Sequence, residues 1–330
     1  MPHFRTTAVT EILAERAGLQ RVGTDAGRAY VLTDLVGTVA VGDRVVVNTT
    51  AVDLGLGTGG WHVVHWNLAR DEWSQPGPGH IMKLRYTSLQ ADTGAAEEEH
   101  TDPVPTLDGV PVVACSLHSQ VGVVATVVRA LAPAARIAYV MTDGAALPLA
   151  LSDLVWTLTE RKVLDVTVTA GNAFGGALEA VSLPSALQLA RHVGAADVVV
   201  VGMGPGVVGT GSVLGTTAVD VAWALDAAAA LGGRPALCVR ASSADARERH
   251  QGISHHTGTI LRLAHSEPVI PLPAGSSTRI DGALSVDVPD VGAMLEAQGV
   301  TITSMGRGPA EDPMFFAVAG AAGAWAANTL

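Results

Sequence analysis

The spacing of apolar and polar positions changes once, near residue 110, and divides the chain. Through residues 1–75, short apolar runs alternate with turn residues. Arg28–Leu32, Gly42–Asn48 and Trp61–Trp66 carry the period-two pattern of half-buried strands. They predict a small β-barrel or sandwich domain. The run Gly55–Gly60 reads as a hairpin tip, because no helix start follows it as a phosphate-cradling loop requires. His62 and His65 lie three apart, face opposite sides of one strand, and make a poor metal pair.

Residues 76–109 form a connector. It opens on the rigid turn Pro76-Gly-Pro-Gly79 and carries the acidic run Glu97–Glu99. Between them, Gly79–Thr87 mixes charge with apolar side chains and reads as a surface strand bearing Lys83 and Arg85.

From Gly109 the pattern becomes strand, loop, helix, repeated. Strands are predicted at Val110–Leu117, Arg136–Met141, Val163–Thr169, Ala196–Val201, Pro235–Val239 and Pro268–Leu272. Helices are predicted at Val121–Leu131, Leu147–Glu160, Ala177–His192, Thr216–Leu231 and, shorter, Gly258–Ala264. A weaker signal adds a helix at Val291–Gln298, a strand at Val300–Ser304 and a closing helix at Met314–Ala327. Alternation at this spacing implies right-handed βαβ units. The fold class is α/β: the small N-terminal β-domain, then a doubly wound, mainly parallel, Rossmann-like sandwich over residues 110–330.

Composition agrees with that architecture. A chain of 330 residues is comfortable for two domains. Hydrophobic residues make up 48% but aromatics only 4%, so the core must be Val, Ala and Leu packed closely on buried parallel strands. The same composition suits a packed homodimer face. The net charge of −11 offers no basic face and excludes nucleic acid as a partner. Cys115 and Cys238 sit inside apolar runs and read as core thiols. The N-terminal residues carry no secretory apolar run, which predicts a cytoplasmic protein. The uncharged run Val198–Val219 is broken by glycines and Met314–Leu330 is too short, so no membrane span is expected.

Ligands of open α/β sheets bind beyond the carboxyl ends of the strands. Those ends carry Ser116-Leu-His118-Ser119, Thr142-Asp143-Gly144, Gly171-Asn172, the glycine-rich Gly202–Ser212, and Arg240–Thr259. The opposite loops, such as Ala132–Ala135 and Gly232–Arg234, are short and plain. This asymmetry places one small-molecule site at the first set. Arg247 and Arg249 suit an anion, which guanidinium binds bidentately. Ser242, Asp245 and Asn172 line the same rim, and Gly204, Gly206, Gly209, Gly211 and Ser212 would cradle the anion with backbone N–H groups. The arginines read equally well as an ion-pair loop with Asp245 and Glu248. His250, His255, His256 and His118, with Asp143, are the candidates for acid–base chemistry. His255 and His256 are adjacent, so their side chains are expected to diverge, and a metal would need one of them with His118 or Asp143 from another strand. With no H-E-x-x-H and no cysteine cluster, no metal is assigned.

Gly204-x-Gly206-x-x-Gly209 is formally a dinucleotide fingerprint between a strand and a helix. The loop is long for the tight Rossmann turn, and no acid closes the next strand. Arg240 stands there with Ser242 and Ser243, which suits a 2′-phosphate and keeps an NADP-binding oxidoreductase as one alternative.

The run Arg240–His256, with Gly204–Ser212 and Gly79–Thr87, resembles the uncharacterised bacterial family catalogued as domain of unknown function 3866, over nearly the whole chain. The resemblance implies no activity, carries over no catalytic residue, and points away from dehydrogenases. The leading expectation is an enzyme acting on a small anionic substrate, with a phosphorylated one among the candidates and the cofactor unknown. The other is a non-catalytic metabolite-binding or assembly protein using the same pocket.

Overall fold

The computed structural model describes residues 1–100, 105–144, 147–277 and 279–330. Residues 101–104 of the connector lie outside the described set. The chain forms two compact units, Met1–Gly94 and Ala95–Leu330.

The first unit is a closed barrel of β1 (Phe4–Arg16), β2 (Leu19–Thr24), β3 (Gly27–Leu32), β4 (Arg44–Asn48) and β5 (His62–Asn67), in the order β1-β2-β3-β5-β4. β1 closes it by pairing antiparallel with β4 over Phe4–Ala8 and with β2 from Val9 onward. Two register shifts, at Val9/Glu11 and Ile12/Ala14, bend β1 between its partners. Val9, Val22, Ala29, Val31, Val45, Val47 and Val64 fill the interior. β1 and β2 are the strands that periodicity misses; most residues of β1 are exposed. His62 is buried with Nε2 on the Ala26 carbonyl, while the His65 ring packs edge-on against Phe4. Lys83, read as a surface residue, is instead only 2% exposed.

The second unit is built on six parallel strands: β6 (Pro111–Cys115), β7 (Ile137–Thr142), β8 (Val166–Ala170), β9 (Leu178–Ala180), β10 (Val198–Met203) and β11 (Arg234–Cys238). Their order is β9-β8-β7-β10-β6-β11. Every residue of β6 and β10 is buried, as strands covered on both faces require. Among the described residues, this unit's helices of seven residues or more are α1 (His118–Leu131), α2 (Asp153–Glu160), α3 (Leu183–His192), α4 (Asp220–Ala230), α5 (His255–Leu263), α6 (Val291–Ala297) and α7 (Pro313–Asn328). Alternate strand positions divide the core. Val113, Cys115, Tyr139, Val200 and Cys238 pack with α1, α6 and α7. Val112, Ala114, Val140, Val199, Val201 and Leu237 pack with α3, α4 and Ile260 of α5.

The closing helix α7 is apolar all round because it is buried, with Phe315, Phe316 and Trp325 in the core. A Cβ on Gly323 would stand 2.8 Å from the Val124 carbonyl oxygen of α1, so glycine is what lets the two helices approach. Among the described residues, no helix is long and apolar enough to cross a membrane.

Several element ends differ from expectation for local reasons. The helix expected from Ala177 starts at Leu183, where Ser182 caps it and Pro184 sits in its first turn; Leu178–Ala180 instead adds the edge strand β9. The strand expected at Pro268–Leu272 forms as Pro271–Pro273, paired with Leu284–Val286, with one bridge from Val269 to Ala236 of the main sheet. Its prolines lack the N–H groups that a continuing ladder needs. Val300–Ser304 forms no regular strand; only Ser304 bridges to Arg307. Both α1 and α5 start three residues early, which brings His118, His255 and His256 into first helical turns.

Candidate functional site

Adjacent strands β10, β6 and β11 end together at one edge of the sheet. The helices following β10 and β6 lie on opposite faces, α4 on one and α1 on the other. Such a reversal opens a crevice at the strand ends. A pocket of about 170 Å³ occupies it, walled by Arg240, Arg247, Arg249, His250 and His256, by Gly209, Gly211 and Thr216 of the glycine-rich loop, and by Leu117, Val207 and Met305.

Buried polar groups hold the strand ends in register. The amide of Gln120, fully buried, accepts from Ser116 N and Leu117 N and donates to the carbonyls of Cys238 and Val239, tying the β6 loop to the end of β11. Ser254 caps α5, accepting from His256 N, and its own N–H donates to the Arg240 carbonyl at 2.8 Å. The first turn of α5 therefore sits beside Arg240, and its N-terminal dipole favours a negative charge there.

The charges form one network. Arg247 donates to both carboxylate oxygens of Asp245, at 2.9 and 2.8 Å. Arg240 and Arg307 approach the same carboxylate at 3.9 and 3.8 Å. Arg307 also donates to Asp312, which is fully buried. Arg249 is exposed at the pocket wall and pairs with no carboxylate among the described residues. Four guanidiniums face two carboxylates in this network, so two positive charges are uncompensated. The Arg247 hydrogen bonds hold the Asp245 carboxyl far below the usual carboxylate range. Burial, with Arg247 next to it, brings Arg240 down to about 10, still charged at neutral pH.

The three histidines converge. Ring centroids of His255 and His256 are 4.2 Å apart, and His250 lies 5.2 and 5.1 Å from them. Adjacent histidines thus do not diverge here: the helix start at His255 turns both rings toward His250. Burial first, then the neighbouring arginines, pushes His250 down to about 4 and His256 to about 3, and lowers His255 as well. All three are neutral at pH 7. His250 Nδ1 is bonded to Ser254 Oγ at 2.8 Å. The Nε2 of His255 is buried with no hydrogen-bond partner. Arg240 Nη1 contacts His256 Nδ1 at 3.2 Å, and because guanidinium only donates, His256 accepts there and carries its proton on Nε2.

One nitrogen from each ring falls within 4.8 Å of the others, so the cluster is consistent with a ligand- or metal-binding site. The donor set is that of a zinc or similar ion. The fit is poor on two counts: His256 Nε2 bears a proton, and the surrounding guanidiniums oppose a cation. The same two features favour an anion.

The other sequence-nominated residues have different placements. His118 does not join the cluster. Its Nδ1–H donates to the Met203 carbonyl at 3.0 Å, and its Nε2 accepts from Ser152 Oγ at 2.7 Å. Ser152 in turn caps α2. With both nitrogens occupied and burial holding it neutral, His118 is pushed down to about 4 and fixes the loops around it. Asp143 is exposed and accepts from Asn172 N at 3.0 Å; neither lines the pocket. Ser242 and Ser243 both bond Asp312 and are not available to a 2′-phosphate. Ser212 Oγ bonds Thr210 and Gly215 N inside its own loop. Gly204 is buried and does not line the pocket, and Gly206 lines a neighbouring cavity.

A family model described as Protein of unknown function (DUF3866) matches residues 28–323. The chain belongs to this family. No curated protein and no solved structure matches it. The family match spans the whole arginine–histidine pocket but attaches no reaction to it, so chemistry has to be read from the geometry. Arg307, Asp312, Leu117 and Met305 were not visible as site residues in the sequence. Asp312-Pro313 looks like a helix cap, yet its side chain makes no cap bond and turns instead to Ser242 and Ser243.

Proposed function

We propose that the protein binds a small anionic, phosphorylated molecule between Arg240, Arg247, Arg249 and the 209–216 loop, and that His250 exchanges a proton with it. One observation carries this reading: a pocket lined by three arginines, two of them sharing one carboxylate, contains imidazoles that burial first, and then those arginines, keep neutral. A phosphate entering it meets guanidinium donors, the His256 Nε2–H and the first turn of α5. The dianion would raise the pKa of His250 from about 4 toward neutrality, the range in which imidazole transfers protons effectively.

Arg249 provides the test, because it is exposed and its loss leaves no carboxylate unpaired. Inorganic phosphate is titrated calorimetrically into the wild type and Arg249→Gln. A charge-assisted hydrogen bond contributes about 1.5–3 kcal/mol, so affinity should fall roughly 10- to 100-fold with an unchanged melting temperature. Equal affinity in the two proteins, or no phosphate binding by either, would overturn the assignment.

A further inference from the structure

We infer that the anionic group is carried on an uncharged, largely apolar body that fills a neighbouring cavity, so that the ligand is a phosphomonoester of a neutral, largely apolar alcohol. This rests on the anion reading above and adds the chemistry of the rest of the molecule.

A second cavity, of about 560 Å³, opens beside the arginine pocket. Leu117, Val207 and Met305 line both, so the two spaces share one wall. The volume falls in the range of roughly 300–1,000 Å³ typical of small-molecule sites. Leu154 and Ile302 extend its apolar surface, and the hydroxyls of Thr157 and Thr303 stand among them. Charge is distributed unequally. Arg240, Arg247 and Arg249 line the smaller pocket, whereas among the described residues the larger cavity has no Lys or Arg in its lining and has Asp153 in it. His118 reaches this cavity as a neutral ring with both nitrogens bonded. A second anionic group would find no counter-charge there, and an uncharged body would lose nothing by entering.

The backbone of the far wall is arranged for this. Ile302 and Ser304 are buried, while Thr301, Thr303 and Met305 alternate outward. Met305 adopts φ +51°, a left-handed conformation uncommon for a residue with a long side chain. Such conformations persist where surrounding structure enforces them and concentrate at ligand sites. Here the residue so held is one of the three that line both spaces.

Phenyl phosphate and inorganic phosphate are the probes, titrated separately into the whole protein. Phenyl phosphate should bind at least tenfold tighter. Thr157→Trp and Thr303→Trp, which fill the cavity from two different elements, should each abolish that excess and leave inorganic phosphate affinity within about twofold. Two variants guard against one failing to fold. Equal affinities of the wild type for both probes would overturn the inference and leave the anion site standing. A phenyl advantage that survives in both folded variants would also overturn it, since the ring would then lie elsewhere. Absence of phosphate binding altogether would instead remove the anion reading, and this inference with it.

Discussion

Replacing His118 separates a structural role from a catalytic one. Its ring is buried, donates to Met203 O, accepts from Ser152 Oγ, and is pushed down to about 4 by desolvation. In the unfolded chain a histidine titrates near 6.5. Its folded pKa is therefore the lower one. Its stabilisation is complete above pH 6.5 and is lost as pH falls toward 4, because only the unfolded state takes up the proton. Each pH unit inside that window removes about 1.4 kcal/mol, and a fall from pH 7 to pH 5 removes about 2 kcal/mol. His118→Asn keeps a donor for the Met203 carbonyl and cannot titrate. At pH 7 it should destabilise the α/β unit by about 1–2 kcal/mol, through the lost bond to Ser152. By pH 5 the difference from wild type should vanish or reverse. Urea unfolding of both proteins at pH 7, 6 and 5 measures this, and the other histidines cancel in the difference. A wild-type-minus-variant difference that stays constant over this range would refute a buried neutral His118.

Other parts of the site and core give further expectations. Asp245→Asn leaves Arg240, Arg247 and Arg307 without their shared carboxylate and should destabilise by about 3–5 kcal/mol, with millimolar phosphate restoring part of the melting temperature; no rescue would place the anion elsewhere. Sulfate, which does not titrate in this range, should bind more tightly as pH falls from 7 to 5, because a bound anion raises the depressed histidine pKa values; a flat profile in wild type would mean that no imidazole faces the anion. Gly323→Ala drives a Cβ against Val124 O and Val127 in the α1–α7 contact and should lower stability by about 1–3 kcal/mol without changing phosphate affinity.

The layered architecture was legible because its central strands are unbroken apolar runs, most of them Val-rich, alternating with helix-length segments. The convergence of glycine, arginine and histidine at one set of strand ends, where the candidate pocket lies, was legible for the same reason. What periodicity cannot carry is direction. Whether His255 and His256 diverge depends on where α5 begins, and Ser254 capping moves that start to His255. His118 stands at a strand end like the others, yet its ring is turned inward to Met203 and Ser152 by the early start of α1. Asp312 lies 70 residues beyond Ser242, and only tertiary packing joins them. Lys83 stands in a mixed run with Arg85 two residues on, and nothing in its neighbours foretells burial.

The most direct measurement is a long-range ¹H–¹⁵N spectrum of the imidazole rings at pH 7, recorded free, with inorganic phosphate and with equimolar zinc. An anion site predicts His256 protonated on Nε2 in the free protein and shifts of the His250 and His256 ring nitrogens with phosphate. Zinc ligation at all three rings, together with no response to phosphate, would contradict it and make the cluster a metal centre.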